Sequence, residues 1–234
     1  MPLRYTAERV AVAVDCVIFG FDGKELKLLL IHRGIEPEKG KWSLMGGFVR
    51  RNESLDDAAT RVLHKLTGLS DVYMEQLHVF GKPNRDPVER TISVAYYALI
   101  DSLKYEKQLS TDYHAEWISL NKLPKLIFDH RQIVDMARQR LQYKAALHPI
   151  LFQLLPDRFT IPQLLQLYKA VYEVDIDKRN FIRKLLNARL LIKQKEKEKL
   201  SSRRGAFYYK LDRRKYTATL QAFMSFLPAK VLFK

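Results

Sequence analysis

The first half of the chain alternates between apolar runs and short polar breaks, a pattern typical of β-strands joined by turns. Residues 10–20 are apolar and rich in β-branched side chains, and residues 26–34 form a second such run. Between them, Asp22 and Gly23 are the residue types that hairpin turns favour. Further strands are predicted in the segments 75–87, 90–100 and 116–120.

Two helices are predicted among these strands. The first begins after Ser54, which forms a capping-box pattern with Asp57, and it ends at Gly68. Its apolar positions lie on one stripe, formed by Ala58, Ala59, Val62, Leu63 and Leu66. A longer helix is predicted over residues 126–144. The glycine pair at 46–47 predicts a sharp turn before the first helix.

The C-terminal part is predicted to contain a helix-turn-helix. A short helix at 148–156 precedes a helix at 161–172, which Thr160 caps. Asp177 caps the next helix, over residues 178–191. This helix is amphipathic, because Lys178, Arg179, Asn180, Arg183 and Lys184 are expected to face outward while Phe181, Leu185 and Leu186 face inward.

A hairpin is predicted to follow the helix-turn-helix. Residues 191–193 and 206–211 are apolar strands that flank a polar, lysine-rich tip. This is the pattern of a wing beside a helix-turn-helix. The last segment, 216–227, is predicted to form a short amphipathic helix.

Charge divides the chain unevenly. Residues 1–144 contain 22 basic and 19 acidic side chains, a net charge of +3. Residues 145–234 contain 19 basic and 7 acidic side chains, a net charge of +12. A basic module attached to a nearly neutral one suggests a polyanionic partner, most often nucleic acid. The alternative, a merely solubilising surface, is not excluded by charge alone.

The remaining composition indicates a cytoplasmic protein with no membrane segment. The single cysteine, Cys16, lies in an apolar strand and is expected to be a small core residue. No run approaches the roughly 20 apolar residues that span a bilayer, and the N-terminus lacks the apolar segment of a signal peptide.

The segment from Gly47 to Leu69 resembles the Nudix box. Gly47, Glu53, Arg61, Gly68 and Leu69 match its frame at the right spacing. In working Nudix hydrolases, helical glutamates of this box hold a divalent metal ion against a pyrophosphate. Those positions here are Val62, Lys65 and Leu66. We therefore expect no catalytic residue, no metal site, no cofactor and no enzyme activity.

The resemblance extends to one branch of these proteins, the NrtR-type Nudix-related transcriptional regulators. The segments that carry it are Lys-Trp-Ser-Leu-Met-Gly-Gly-Phe-Val (41–49), Phe-Gly-Lys-Pro-Asn-Arg-Asp-Pro (80–87) and Ser-Val-Ala-Tyr-Tyr (93–97). It implies an α+β fold: a Nudix-like α/β/α sandwich over residues 1–144, followed by a winged helix-turn-helix over 145–234. It also implies a homodimer that binds a near-palindromic DNA operator.

By this resemblance, the N-terminal domain binds a small effector where a Nudix substrate would lie. Candidate contacts are Lys41, Trp42, Gly46, Gly47, Phe48, Arg85 and Asp86. Relatives divide between sugars such as L-arabinose, as in the AraR branch, and ADP-ribose. Because every helical glutamate is lost, the sequence favours a sugar and a repressor of carbohydrate use. ADP-ribose and NAD metabolism are the alternative.

The candidate DNA contacts lie on the third C-terminal helix and the wing tip. Arg179, Asn180 and Arg183 are expected to contact base edges, since Arg pairs well with guanine and Asn with adenine. Lys178, Lys184, Arg203 and Arg204 are expected to contact phosphates. Two other hypotheses remain open: a Nudix hydrolase with residual activity, and a basic adaptor that binds any polyanion.

Overall fold

The computed structural model describes residues 9–105, 113–199, 205–212 and 214–215. The N-terminal part is built on a seven-stranded mixed sheet in which the central strand pairs with three neighbours. Its elements, in chain order, are β1 (Ala11–Phe21), β2 (Leu26–His32), β3 (Trp42–Ser43), β4 (Met45–Phe48), α1 (Leu55–Thr67), β5 (Glu75–Phe80), β6 (Thr91–Asp101), α2 (Ser102–Tyr105), β7 (Glu116–Ser119) and α3 (His130–Leu147).

Strand β1 runs parallel to β6 and antiparallel to β2 and β4. Its side chains alternate between two apolar cores, because successive residues of a strand point to opposite faces. Val14, Cys16 and Ile18 pack towards α1, and Val17 and Phe19 pack towards α3. Cys16 is therefore a core residue, as predicted. The sheet lies between the two helices, which is the sandwich expected from the sequence.

Helix α1 begins and ends as the sequence predicts. Ser54 accepts a hydrogen bond from the Asp57 amide, and the Asp57 carboxylate accepts one from the Ser54 amide, which completes the capping box. Gly68 ends the helix in the left-handed conformation, at φ 78°. All the predicted stripe residues except the half-buried Leu66 are fully buried.

Helix α3 starts four residues later than predicted and runs three residues further. Residues 126–127 pair with Trp42 instead, where the Ile127 amide donates to the Trp42 carbonyl at 3.1 Å. Phe128 adopts a positive φ of 48°, so the backbone is not helical immediately before α3 begins. Helix α3 is continuous through residues 144 and 145, so the division predicted there falls inside a helix. The exact domain boundary stays a prediction.

The C-terminal part is a winged helix-turn-helix. Its elements are β8 (Phe159–Thr160), α4 (Ile161–Tyr172), α5 (Lys178–Asn187), β9 (Leu191–Glu198) and β10 (Ala206–Leu211), and the strands form one sheet in the order β8-β10-β9. Thr160 and Gln163 form a capping box on α4, and Asp177 caps α5. The fold class predicted from the sequence is confirmed. None of the helices in the described part is both long and apolar enough to cross a membrane.

The short helix predicted at 148–156 is present as a 3₁₀ helix, Ile150–Leu154. Other local predictions were wrong. Helix α5 ends at Asn187, and Leu186 is 45% exposed rather than inward-facing. Strand β9 was predicted to end at residue 193, but it continues to Glu198, because the backbone of this lysine-rich segment pairs with β10. The predicted helix at 216–227 lies outside the described residues.

The two parts share an apolar core. Leu151, Leu154 and Phe159 belong to the same buried cluster as Val134 and Leu141 of α3. Polar contacts join α3 to α4 as well. Gln142 donates from Nε2 to the Val171 carbonyl at 2.8 Å, and the Tyr172 hydroxyl donates to the Gln142 carbonyl at 2.9 Å. Arg138 of α3 forms an ion pair with Glu173, which ends α4.

Candidate functional site: an effector cleft and a DNA-binding surface

A cleft of about 290 Å³ opens beside strand β4, between the C-terminal end of α1 and the start of α3. Its size is near the lower end of small-molecule sites, which are typically about 300–1,000 Å³. The lining mixes aromatic, charged and glycine residues, and it includes Asp15, Arg33, Gly46, Gly47, Phe48, Lys65, Leu66, Arg85, Asp86, Tyr113, Phe128 and His130.

Gly46 and Gly47 lie in strand β4, paired with Asp15 and Val14, and they do not form the predicted sharp turn. Glycine is required at both positions because other groups approach closely. A Cβ atom on Gly46 would lie 2.5 Å from Oδ1 of Asp15, and one on Gly47 would lie 2.8 Å from Cγ2 of Val62. The two glycines therefore let β4 close against the cleft floor and against α1.

The cleft floor is a buried ionic network centred on Asp15. Arg85 donates from Nη2 to Asp15 at 3.1 Å and to Asp129 at 2.8 Å. The Ser93 hydroxyl donates to the same Asp15 oxygen at 2.6 Å. Because these side chains are almost completely buried, each charge depends on its partners for stabilisation.

His130 completes this network as a neutral imidazole. The Leu44 amide donates to its Nδ1 at 3.1 Å, so Nδ1 is the unprotonated nitrogen. Nε2 therefore carries the proton and faces Oδ1 of Asp15 at 3.5 Å. Burial lowers the pKa of His130, against the opposing attraction of Asp15 and Asp129.

Glu53 and Arg61 of the Nudix-like box join the start of helix α1 to strand β4. Arg61 donates from Nε to Oε2 of Glu53 at 2.8 Å and from Nη2 to the Phe48 carbonyl at 3.0 Å. The hydrogen bond from Arg61 lowers the pKa of Glu53 to about 2. Lys65 and Leu66 line the cleft, whereas Val62 is buried under Gly47. Within the described residues, no three His, Cys, Asp or Glu side chains are grouped so as to hold a metal ion.

Five of the seven predicted effector contacts line the cleft: Gly46, Gly47, Phe48, Arg85 and Asp86. The other two do not. Lys41 pairs with Glu38, and Trp42 packs on His32 with ring centroids 3.9 Å apart.

Several residues of the cleft were not predicted from the sequence, among them Asp15, Arg33, Phe128 and His130. Asp15 carried a signal, since it is the only charged residue in an apolar strand. Arg33, Phe128 and His130 stand in no sequence pattern that indicates a binding site, because only the tertiary fold brings them to the cleft.

The predicted DNA contacts on α5 cluster near its start. Lys178, Arg179, Asn180 and Arg183 are exposed, and Lys184 is partly buried. Arg183 donates to Oδ1 of Asn180 at 2.5 Å, so these two side chains are held together on the outer face. Asp177 accepts the Asn180 amide at 2.7 Å and so fixes the start of the helix.

The wing, which is the hairpin of β9 and β10, also carries basic side chains. Lys193 and Lys197 lie over the ring of Phe207, with Nζ at 3.7 and 4.5 Å from the ring centroid. Arg203 and Arg204, the predicted tip contacts, lie outside the described residues. A basic helix next to a basic hairpin suits the phosphate backbone and major groove of DNA.

Comparison with known proteins matches each part. Residues 9–137 match the NUDIX domain, and residues 151–211 match the NrtR DNA-binding winged helix domain. The ADPR responsive transcriptional repressor NtrR of Acinetobacter baylyi is 32% identical over 203 residues, which cover 85% of this chain and 81% of the relative.

Two solved structures extend this similarity. Shewanella oneidensis NrtR complexed with a 27mer DNA superposes with a TM-score of 0.75 at 31% identity, covering 88% of this chain and 95% of that one. The NUDIX domain of the same protein, complexed with ADP ribose, gives 0.51 at 33% identity over 58% of this chain and 90% of that one. This chain therefore belongs to the NrtR-type family, in which a Nudix domain is followed by a DNA-binding winged helix.

Proposed function

We propose that this protein is a transcriptional repressor that releases or engages its operator in response to ADP-ribose. The observation that carries the proposal is that the cleft and the basic helix-turn-helix are joined by one continuous helix, α3. The start of α3 places Asp129 and His130 in the cleft floor, and its second half packs against α4. A ligand in the cleft therefore contacts the element that supports the DNA-binding helices.

The effector proposed here is ADP-ribose rather than the sugar that the sequence favoured. The relatives named above are an ADP-ribose-responsive repressor and a Nudix domain with bound ADP-ribose, and neither supports an arabinose-sensing branch. The cleft chemistry agrees with this choice. Phe48, Tyr113 and Phe128 offer aromatic surface for a base or ribose, while Arg33 and Lys65 offer positive charge for a diphosphate.

We further propose that the Nudix domain binds without hydrolysis. Metal-assisted hydrolysis of a pyrophosphate needs clustered carboxylate oxygens around the ion. In this chain Glu53 is paired with Arg61, and Asp15 is committed to Arg85, Ser93 and His130. The Acinetobacter relative is a transcriptional repressor and the Shewanella relative is solved in complex with DNA, which supports a non-enzymatic role.

The DNA-binding residues proposed are those on the outer face of α5 and on the wing. Arg179, Asn180 and Arg183 would contact base edges, and Lys178 with Lys193 and Lys197 would contact phosphates. A homodimer would place two such surfaces on successive turns of one operator.

The test is a mobility-shift titration of the full chain with DNA from its own promoter region, with excess non-specific competitor DNA. We expect a discrete complex whose stability changes on addition of ADP-ribose and does not change on addition of L-arabinose. The double variant Arg179→Ala/Arg183→Ala should lose the discrete complex, and Arg131→Ala, an exposed arginine on α3, should retain it. Sequence-independent binding that disappears with salt would reject the repressor.

A further inference from the structure

Two cations line the cleft without an ion pair to any carboxylate in the described part of the chain. Lys65 is exposed in the last turn of α1, and it forms no ion pair with any other described residue. Arg33 donates from Nε to the Ile35 carbonyl at 3.0 Å, and its guanidinium carbon lies 5.1 Å from the centroid of Phe128. These contacts use Nε and the face of the Arg33 guanidinium, and its terminal nitrogens form no hydrogen bond with any other described residue.

Asp15, the buried carboxylate of the cleft, is already engaged, and Asp86 accepts one backbone amide, so no cluster of free carboxylates remains among the described residues that line the cleft. Asp15 accepts hydrogen bonds from Arg85 and Ser93, and Asp86 accepts the Val88 amide at 2.9 Å. A Mg²⁺ ion needs about six oxygen ligands in near-octahedral geometry, with carboxylates free to approach it. The side chains of this cleft therefore favour an anion and disfavour a divalent cation.

We propose that the cleft binds the diphosphate of its effector directly, through the Lys65 ammonium and the Arg33 guanidinium, with no divalent metal ion. This inference rests on the proposed function, because it takes the same cleft as the effector site. The ligand class is a nucleoside diphosphate ester. Lys65 offsets phosphate charge as a point cation, while Arg33 offers paired N–H donors to two phosphate oxygens.

Lys65 gives the degenerate Nudix box a role in effector binding. Lys65 and Leu66 line the cleft together, at two positions where the Nudix box has glutamates. A lysine there supplies within the chain the positive charge that a bound metal ion would otherwise bring. Binding then requires no metal, and the effector is not activated for attack by water.

The test is calorimetric titration of the full chain with ADP-ribose in EDTA and, separately, in excess MgCl₂. We expect the same affinity in both. Lys65→Gln should weaken ADP-ribose about tenfold, the cost of one charged hydrogen bond, while Lys65→Arg should retain most of the affinity. Adenosine, which has no phosphate, should bind both Lys65→Gln and the wild type equally.

The matched control is Lys122→Gln, which removes the same charge from an exposed lysine outside the cleft and should leave ADP-ribose binding unchanged. Equal thermal unfolding of the two glutamine variants would show that both are folded. A requirement for Mg²⁺, or equal ADP-ribose affinity in the two variants, would overturn the inference.

The proposed function is tested separately from this inference. If ADP-ribose binds only with Mg²⁺ but still alters DNA binding, the repressor stands and metal-free recognition fails. If ADP-ribose does not bind at all, the effector assignment fails. Inorganic pyrophosphate then decides the inference alone: metal-free binding weakened by Lys65→Gln supports it, and no such binding rejects it.

Discussion

Asp15 shows how one residue determines its surroundings. It is the only charged side chain in strand β1, and its carboxylate is stabilised in a buried position by Arg85, Ser93 and the Nε2–H group of His130. It also explains a glycine, because a side chain on Gly46 would collide with its Oδ1 atom. Removing one partner from such a network typically costs about 3–5 kcal/mol, since a buried charge is left uncompensated.

The same network predicts a pH dependence. Burial lowers the pKa of His130 below its ordinary value of 6.5, so the folded protein binds its proton less readily than the unfolded chain does. The stability due to neutral His130 is therefore complete above pH 6.5 and is lost as the pH falls below that value. We expect His130→Asn, whose side-chain oxygen can still accept the Leu44 amide, to flatten this dependence.

Denaturant unfolding measured from pH 7.5 to pH 5 checks the prediction. His64→Gln is the control, because it removes an exposed histidine of α1 and leaves the buried network of His130 intact. An equal slope in wild type and His130→Asn would contradict the assignment of a neutral, buried imidazole.

At the scale of elements, the sequence predicts the helices and strands whose start and end are determined by residues close to each other in the chain. Helix α1 was predicted with both ends because Ser54, Asp57 and Gly68 act within a few residues of each other. The start of α3 was misplaced because the competing partner, Trp42, is more than 80 residues away in the sequence. The ion pairs of Arg85 with Asp15 and Asp129 were not predictable for the same reason.

Helix α3 is also the element through which effector binding would reach the DNA. Arg138 connects it to Glu173 at the end of α4, whereas Arg131 pairs along the helix itself, with Asp135. We expect Arg138→Ala to leave ADP-ribose affinity unchanged and to shift, several-fold, the ADP-ribose concentration that alters DNA binding. Partly exposed ion pairs contribute about 1 kcal/mol or less, so the fold should persist.

The measurement for Arg138→Ala is a pair of titrations on one protein sample, ADP-ribose binding by calorimetry and DNA binding by fluorescence anisotropy. Arg131→Ala should match the wild type in both. If Arg138→Ala also matched it in both, the contact between α3 and α4 would not carry the response.

At the scale of the whole molecule, the distribution of charge along the chain predicts which part contacts DNA, and the net charge alone does not. The C-terminal 90 residues carry +12 of the total +15, so we expect phosphate contacts to come from that part alone. Each phosphate that a lysine neutralises contributes about −0.9 to the slope of log K against log salt concentration. Lys178→Ala should therefore reduce the magnitude of that slope by about one unit per protomer, equally for operator and random DNA.

Lys122→Ala lowers the net charge by the same amount but lies in the N-terminal part, so its slope should equal that of the wild type. Arg179→Ala should weaken operator DNA more than random DNA, because a base contact carries sequence information and a phosphate contact does not. Anisotropy titrations between 50 and 200 mM KCl, the range over which about 10³-fold changes are typical, measure all three variants. Equal slopes for Lys178→Ala and Lys122→Ala would mean that Lys178 makes no phosphate contact of its own, and that α5 is not the surface on the DNA.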